Sequence, residues 1–329
     1  MREITIGKND AGQRLDKFLT KAVKALPVSL LYKFIRTKKI KVNRKRAEPG
    51  QILSEGDTLQ LFISDEFFAQ DGEAELFKSI IPHIEPVYED RHIIICNKPA
   101  GVLVHSDSEG DPDTLINHIK DYLYRKGVYD PGEEQSFAPA LCNRIDRNTS
   151  GLVIAAKTAE ALRAMNELIR TGGVKKKYLC VAHGIFTKKS DTLKGFLTKD
   201  GGDNLVTVYK SPPPGYRQGE VKTILTRYRV LAEKGEGENA LSLLEVDLLT
   251  GRTHQIRAHL ASAGHPLLGD GKYGINRSDR ARGYKYQALC AYSLAFDAFG
   301  PLSAVSVRLN PDDIWFVRKF GEVKLKLDI

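Results

Sequence analysis

No run of apolar residues in this chain approaches the ~20 that a bilayer crossing requires, so no membrane span is expected. Cysteine is sparse: Cys96, Cys142, Cys180 and Cys290 stand singly, with no Cys-x-x-Cys pair. That excludes a disulfide framework and a zinc ribbon. No Gly-rich loop follows a strand-like run, which excludes a dinucleotide-binding fingerprint and a P-loop. The opening MREITIGKNDAGQRLDKFL is charged throughout and does not read as a secretory signal. A cytoplasmic, cysteine-reduced protein is expected. What is there is ordinary for a globular protein: 329 residues, 42% hydrophobic and 28% charged. Collagen-like, coiled-coil and wholly disordered chains are ruled out, and the length suits one large domain or two.

The net charge of +9 is unevenly placed. Residues 1–64 hold 14 Lys/Arg against 6 Asp/Glu, a local excess of +8. Residues 33–46, KFIRTKKIKVNRKR, include Lys38, Lys39, Lys41 and Arg44 and no acid at all. A basic run is often only a solvated face. Here it sits among apolar positions at helical spacing, so a folded basic surface is the better reading. Such a surface attracts phosphate backbones by releasing counterions. An anionic membrane would call for an amphipathic helix with exposed Trp or Phe. RNA is the expected partner.

Two segments differ in character. Leu15, Phe18, Leu19, Val23 and Leu26 mark an amphipathic helix ended by Pro27. Ser29 can cap a second helix with Leu30, Leu31, Phe34 and Ile35 as its buried stripe. Ile40–Asn43 and Thr58–Phe62 read as short strands. The pattern RLDKFL at 14–19, IKVN at 40–43 and Gly56-Asp57 resembles the S4 RNA-binding domain. Residues 65–79 carry five acids and one lysine and read as a linker. From residue 80 to 329 the chain is strand-rich, with runs at 93–96, 152–156, 178–182, 223–230 and 241–249. Helices are expected at 114–124, 159–169 and 253–263. The fold class is therefore α+β: a small helix-helix-strand domain at 1–64, then a domain built on a largely antiparallel sheet.

Four stretches could carry chemistry. In NRIDRNTSG, 143–151, the bland reading is a turn in which Asp146 bonds its own backbone. The chemical reading is a carboxylate kept ionised between Arg144 and Arg147, fit to be a nucleophile or electrostatic stabiliser. In TGRTHQIRAHL, 250–260, Thr253 reads as a helix cap, and Ile256 and Leu260 face the core. Arg257 lies beside that face and needs an acidic partner, with Asp146 one candidate. His254, His259 and His265 lack metal-site spacing, so no metal is expected. Lys175-Lys176-Lys177-Tyr178 is either a solvated strand start or a phosphate-contacting cluster with a stacking face. Asn97–Gly101 is a rigid turn.

Together these stretches resemble the RluA family of pseudouridine synthases. The matches are NKPAGVLVH at 97–105, RIDRNTSGLVIAAK at 144–157, KKYL at 176–179, KTILTRYRV at 222–230, LLTGRTHQIRAHL at 248–260 and GHPLLGD at 264–270. With the S4-like start, the resemblance is strongest to the bacterial branch that modifies large-subunit (23S-type) ribosomal RNA. It implies that Asp146 is the catalytic aspartate, attacking the nucleoside or stabilising its sugar while the glycosidic bond breaks. Arg144 matches the arginine of base flipping. Tyr178 matches the tyrosine that stacks on the uracil and assists at C5, and Arg257 the arginine paired with the aspartate. Lys177, with Lys38, Lys39, Lys41 and Arg44, is expected to contact RNA. Asn143 and Ile145 depart from the family's usual His-Arg-Leu-Asp. No metal or organic cofactor is implied, since an isomerisation of this type neither gains nor loses electrons. A monomer is expected. A catalytically silent S4-type assembly factor is the alternative, and a glycosidase, which needs two cooperating carboxylates, a distant third.

Overall fold

The computed structural model describes residues 1–68, 77–106, 112–199, 205–217, 219–274 and 276–320. Of the expected linker, residues 69–76 lie outside this set. The chain begins with β1 (Arg2–Thr5), α1 (Leu15–Ala22), α2 (Val28–Arg36), β2 (Ile40–Val42), β3 (Lys45–Arg46) and β4 (Thr58–Leu61). These strands form a four-stranded sheet in the order β1-β4-β2-β3, against which Phe18, Leu19, Leu31 and Ile35 pack. Helix α2 starts one residue before Ser29, and its cap position is Pro27 with no side-chain cap bond. Pro27 fixes the entry backbone, so a hydroxyl cap is dispensable here.

Strands β5 (Pro86–Glu89) and β6 (Ile93–Lys98) follow, then α3 (Leu115–Arg125), β7 (Ala140–Leu141), β8 (Ser150–Ala156), α4 (Ala159–Thr171) and β9 (Lys175–His183). Next come β10 (Ser190–Lys199), β11 (Val206–Tyr209), β12 (Lys222–Lys234), β13 (Leu241–Leu248), α5 (Gln255–Ser262), α6 (Asn276–Ala281), β14 (Leu289–Phe296), β15 (Val305–Arg308) and α7 (Trp315–Phe320). They build one large sheet, β11-β10-β12-β13-β9-β14-β8-β6-β5, with β15 on β14 and β7 on β8. The ladder is antiparallel except where β8 and β14 run parallel, Ser150 opposite Cys290 and Gly151 opposite Ala291. The α+β, largely antiparallel reading agrees with this.

Side-chain alternation explains the unbroken apolar runs. Ile94 and Cys96 of β6 enter the core under α3, while Ile93 and Ile95 enter the core under α4. A strand covered on both faces has no polar side to show, and each buried Ile is worth about 1.5–3 kcal/mol. The covering helices are locally well specified. Thr114 caps α3 by accepting from the Asn117 amide, and Thr158 caps α4 by accepting from the Ala161 amide. Helix α5 differs from expectation. Its cap position is His254, in left-handed backbone at φ 51°, and not Thr253. Gln255 does the closing: its Oε1 accepts from the Arg252 amide and from Thr250 Oγ1.

Candidate active site

The loop before β8 carries Asp146 to the N-terminal end of that interior strand, between β14 and β6. The Asp146 carbonyl does accept from the Thr149 amide in a turn, at 3.1 Å. Its carboxylate goes elsewhere: Arg257 Nη1 donates to Asp146 Oδ2 at 2.7 Å across 111 residues of sequence. The stretch does form a turn, but through the Asp146 backbone, and its side chain is turned to Arg257. Arg144 and Arg147 do not supply the pairing. Arg147 Nε donates to the Gly101 carbonyl, and Arg144 is exposed.

The loop is fixed from below. Lys98 is fully buried, and its Nζ donates to the carbonyls of Pro99, Val102 and Arg147 at 2.8–2.9 Å. The Gly101 amide also reaches the Arg147 carbonyl. What reads as a plain turn at 97–101 is thus a bracket for the Asp146 loop. Burial brings Lys98 down to about 7, with the Asp146 charge pulling the other way. At the loop's entrance Asn143 Oδ1 accepts from the Ile154 amide, and Ile145 joins the core that contains Tyr178 and Ile256. Both departures from the family's usual residues are accommodated by backbone hydrogen bonding and packing. At the exit, Gly151 has φ 113°, and a Cβ there would stand 2.3 Å from the Ala291 carbonyl oxygen. Only glycine fits a strand pressed this closely against β14.

Helix α5 presents Arg257 next to the inward-facing Ile256. Asp270 holds the other side of its guanidinium, accepting from Nε at 2.7 Å and from Nη2 at 2.8 Å. The Tyr273 ring lies 5.2 Å beneath it. Burial acts against the Arg257 charge, but Asp270 and Asp146 outweigh it and the group stays a cation. Burial would likewise raise Asp270; Arg257 and the amides of Lys272 and Tyr273 hold it below the usual carboxylate range. Exposure separates the two acids: the Asp270 side chain is 0% exposed and that of Asp146 24%. Only Asp146 is open to a ligand. His254 completes the group, with Nδ1 at 2.9 Å from Tyr273 Oη and Nε2 at 4.0 Å from Asp146 Oδ1. Burial keeps its imidazole largely neutral.

Tyr178, on β9, lies in the same core as Ile145 and Ile256. Burial first, and then the Asp146 charge, push its phenol far above the usual range, so it is a neutral ring at physiological pH. Asp146, Arg257 and Tyr178 are thus brought together. Lys177 is not with them: as Tyr178's neighbour in an extended strand it faces the other side of the sheet, 3.5 Å from Glu245. Lys38, Lys39, Lys41 and Arg44 lie on the N-terminal unit, around the α2–β2 and β2–β3 turns. Lys39 sits over the Phe34 ring and Lys41 over that of Phe62. Asp270, His254, Tyr273 and Lys98 were not expected at the site. Asp270 lay inside a matched stretch, but only the fold shows that Arg257 has two acids.

The large sheet, with Asp146 in the loop entering its interior strand β8, has the fold of pseudouridylate synthases. Human RNA pseudouridylate synthase domain containing 1 superposes with a TM-score of 0.55 at 23% identity, covering 70% of this chain and 85% of its own. Human RNA pseudouridylate synthase domain containing 4 gives 0.53 at 20% identity over 72% and 92%. In sequence, a model of the RNA pseudouridylate synthase family matches residues 92–262, and one of the S4 domain matches residues 13–59. An uncharacterized RNA pseudouridine synthase of Mycoplasma pneumoniae is 33% identical over 285 residues, 86% of this chain and 84% of that protein. Ribosomal large subunit pseudouridine synthase C of Escherichia coli K12 is 32% identical over 288 residues, 84% and 81% of the two. The chain belongs to the RNA pseudouridylate synthase family, with an S4 domain ahead of the synthase fold.

Proposed function

We propose that this synthase isomerises particular uridines of large-subunit ribosomal RNA, with Asp146 as the group that engages the sugar. The observation that carries the assignment is the Arg257–Asp146 pair at 2.7 Å, one carboxylate oxygen bound and the residue still partly open. A carboxylate held by a fixed cation is oriented before the substrate arrives and needs no reorganisation as positive charge develops on the sugar. Arg144, exposed on the same loop, is placed to hold the nucleotide out of its stack. Tyr178 enters as a neutral ring, which suits stacking on the uracil and excludes a standing phenolate base. The ribosomal substrate rests on the name of the Escherichia coli relative and on the basic N-terminal unit. That substrate places the enzyme in the cytoplasm. A silent RNA binder would not need an oriented, open carboxylate. The test is pseudouridine mapping of ribosomal and transfer RNA in a deletion strain complemented with wild type or Asp146→Asn. Sites in large-subunit RNA should vanish and return only with wild type; an unchanged map overturns the reading.

A further inference from the structure

Behind the Arg257–Asp270 pair lies another buried acid, Asp279, which the proposed reaction does not use. The segment after α5 runs along β9. Leu267 bridges Ala182, the His183 amide donates to the Pro266 carbonyl at 2.9 Å, and the Leu268 amide donates to the Val181 carbonyl at 2.9 Å. At Gly269 the chain turns away from the strand. Its φ is 74°, and a Cβ there would stand 2.4 Å from the Tyr286 carbonyl oxygen, so only glycine fits this bend. The Gly269 N–H donates at 2.7 Å to Oδ2 of Asp279, ten residues on. His183 Nε2 lies 2.9 Å from the same oxygen.

Helix α6 is exposed at residues 277, 278, 280 and 281, whereas its Asp279 is 0% exposed. Burying a carboxyl is costly unless its bonds compensate. Here both bonds fall on one oxygen, and among the described residues no donor reaches Oδ1. The side chain is aimed at the Gly269 amide and at His183. From there the line of contacts is continuous. Asp270 follows Gly269 in the chain, its two oxygens accept from Nε and Nη2 of Arg257, and Nη1 donates to Asp146. A shift of the Gly269 peptide moves Asp270, and the bidentate grip passes that shift to the guanidinium. Strand β9 serves both ends of the arrangement, since Tyr178 and His183 lie on it.

We propose that Asp279, oriented by His183, is a positioning residue for the isomerisation. It fixes the Gly269–Asp270 peptide and so sets the angle at which Arg257 holds the Asp146 carboxylate. This rests on the reading of Asp146 as the group that engages the sugar.

The experiment compares full-length wild type, Asp279→Ala and Asp279→Asn on a transcript of large-subunit ribosomal RNA. Asp279→Ala frees the Gly269 amide and should lower kcat roughly 10- to 100-fold with KM little changed, since alignment is lost and RNA contact is not. Asp279→Asn keeps a carbonyl oxygen where Oδ2 stands and should recover most of kcat. In NMR of the same proteins, the Arg257 Nε–H should exchange with water faster in Asp279→Ala and as in wild type in Asp279→Asn. An acid that only anchored α6 would cost stability and leave both kcat and that signal alone. A wild-type kcat in folded Asp279→Ala, a loss carried by KM, or an Asp279→Asn as slow as Asp279→Ala overturns the proposal. If Asp279→Ala does not fold, His183→Phe decides, because it keeps a ring and loses one bond to Oδ2. A lowered kcat there upholds the proposal and a wild-type kcat overturns it. A wild-type rate in Asp146→Asn would instead overturn the reading of Asp146. The Arg257 signal then decides by itself: faster exchange in Asp279→Ala upholds its hold on the guanidinium, and unchanged exchange overturns it.

Discussion

Asp270 takes Nε and Nη2 of Arg257, at 2.7 and 2.8 Å, and leaves Nη1 alone to face Asp146. The guanidinium is a fixed bridge between a sealed carboxylate and an open one. The two acids therefore have different duties, and their variants should part company.

Asp270→Asn strips a buried cation of its bidentate partner and should cost about 3–5 kcal/mol in urea unfolding. Asp146→Asn leaves Arg257 and Asp270 paired, so stability should stay within about 1 kcal/mol while turnover falls by at least ~10³-fold. RNA affinity of Asp146→Asn should be near wild type. If both variants lose stability equally, the division of duties is wrong.

His259, on α5 two residues from Arg257, is buried, with Nδ1 at 2.9 Å from Thr226 Oγ1. Burial pushes its imidazole down to about 4 from an ordinary 6.5. Between those values the unfolded chain binds a proton that the folded protein refuses. Stability is then full above about pH 6.5 and falls by about 1.4 kcal/mol per unit of acidification until about pH 4. His259→Gln can keep a hydrogen bond to Thr226 and cannot titrate. Urea midpoints at pH 4.5 and 7 should drop further for wild type than for the variant; equal drops would assign the acid sensitivity to other groups.

Gly151→Ala puts a methyl 2.3 Å from the Ala291 carbonyl oxygen at a backbone φ of 113°. Both the clash and the strain act on the strand that carries the Asp146 loop. A loss of more than about 2 kcal/mol is expected, with turnover reduced in whatever fraction still folds. Thermal unfolding within a degree of wild type would show that β8 and β14 can part at no cost.

Replacing Lys38, Lys39, Lys41 and Arg44 together by Gln leaves both cores untouched, since these groups lie on or near the surface of the N-terminal unit. Affinity for ribosomal RNA should fall and its salt dependence flatten by roughly one unit of slope per lost phosphate contact. The rate at saturating RNA should change little. A salt slope equal to wild type would remove this face from the RNA interface.

Most elements of the fold were legible because their signals are local. The stripes of α1 and α2 and the apolar runs of β6 and β8 can each be read within a dozen residues. The misreadings share a different cause. Ser29 and Thr253 are good caps in isolation, but Pro27 and the Gln255 side chain had already settled those helix starts. Lys98 looks like turn material until carbonyls at 99, 102 and 147 converge on it. The second acid on Arg257 is legible only after the turn following α5 comes back to the helix. Lys177 was grouped with Tyr178 by adjacency, although consecutive residues of a strand face apart.

The parallel pairing of β8 with β14 also bears on the order of assembly. Strand β8 can find β6, some fifty residues away, and the nearby β7 early, but its parallel partner comes only at Leu289–Phe296. Contacts this distant in sequence close late and slowly. A nascent chain stalled before residue 289 would already carry Asp146, Tyr178, Arg257 and Asp270 and lack the strand that seats their scaffold. The N-terminal unit, with its own short sheet, can be complete long before that. During synthesis the means of holding RNA would thus be ready first, and the means of altering it would come with the last tenth or so of the chain.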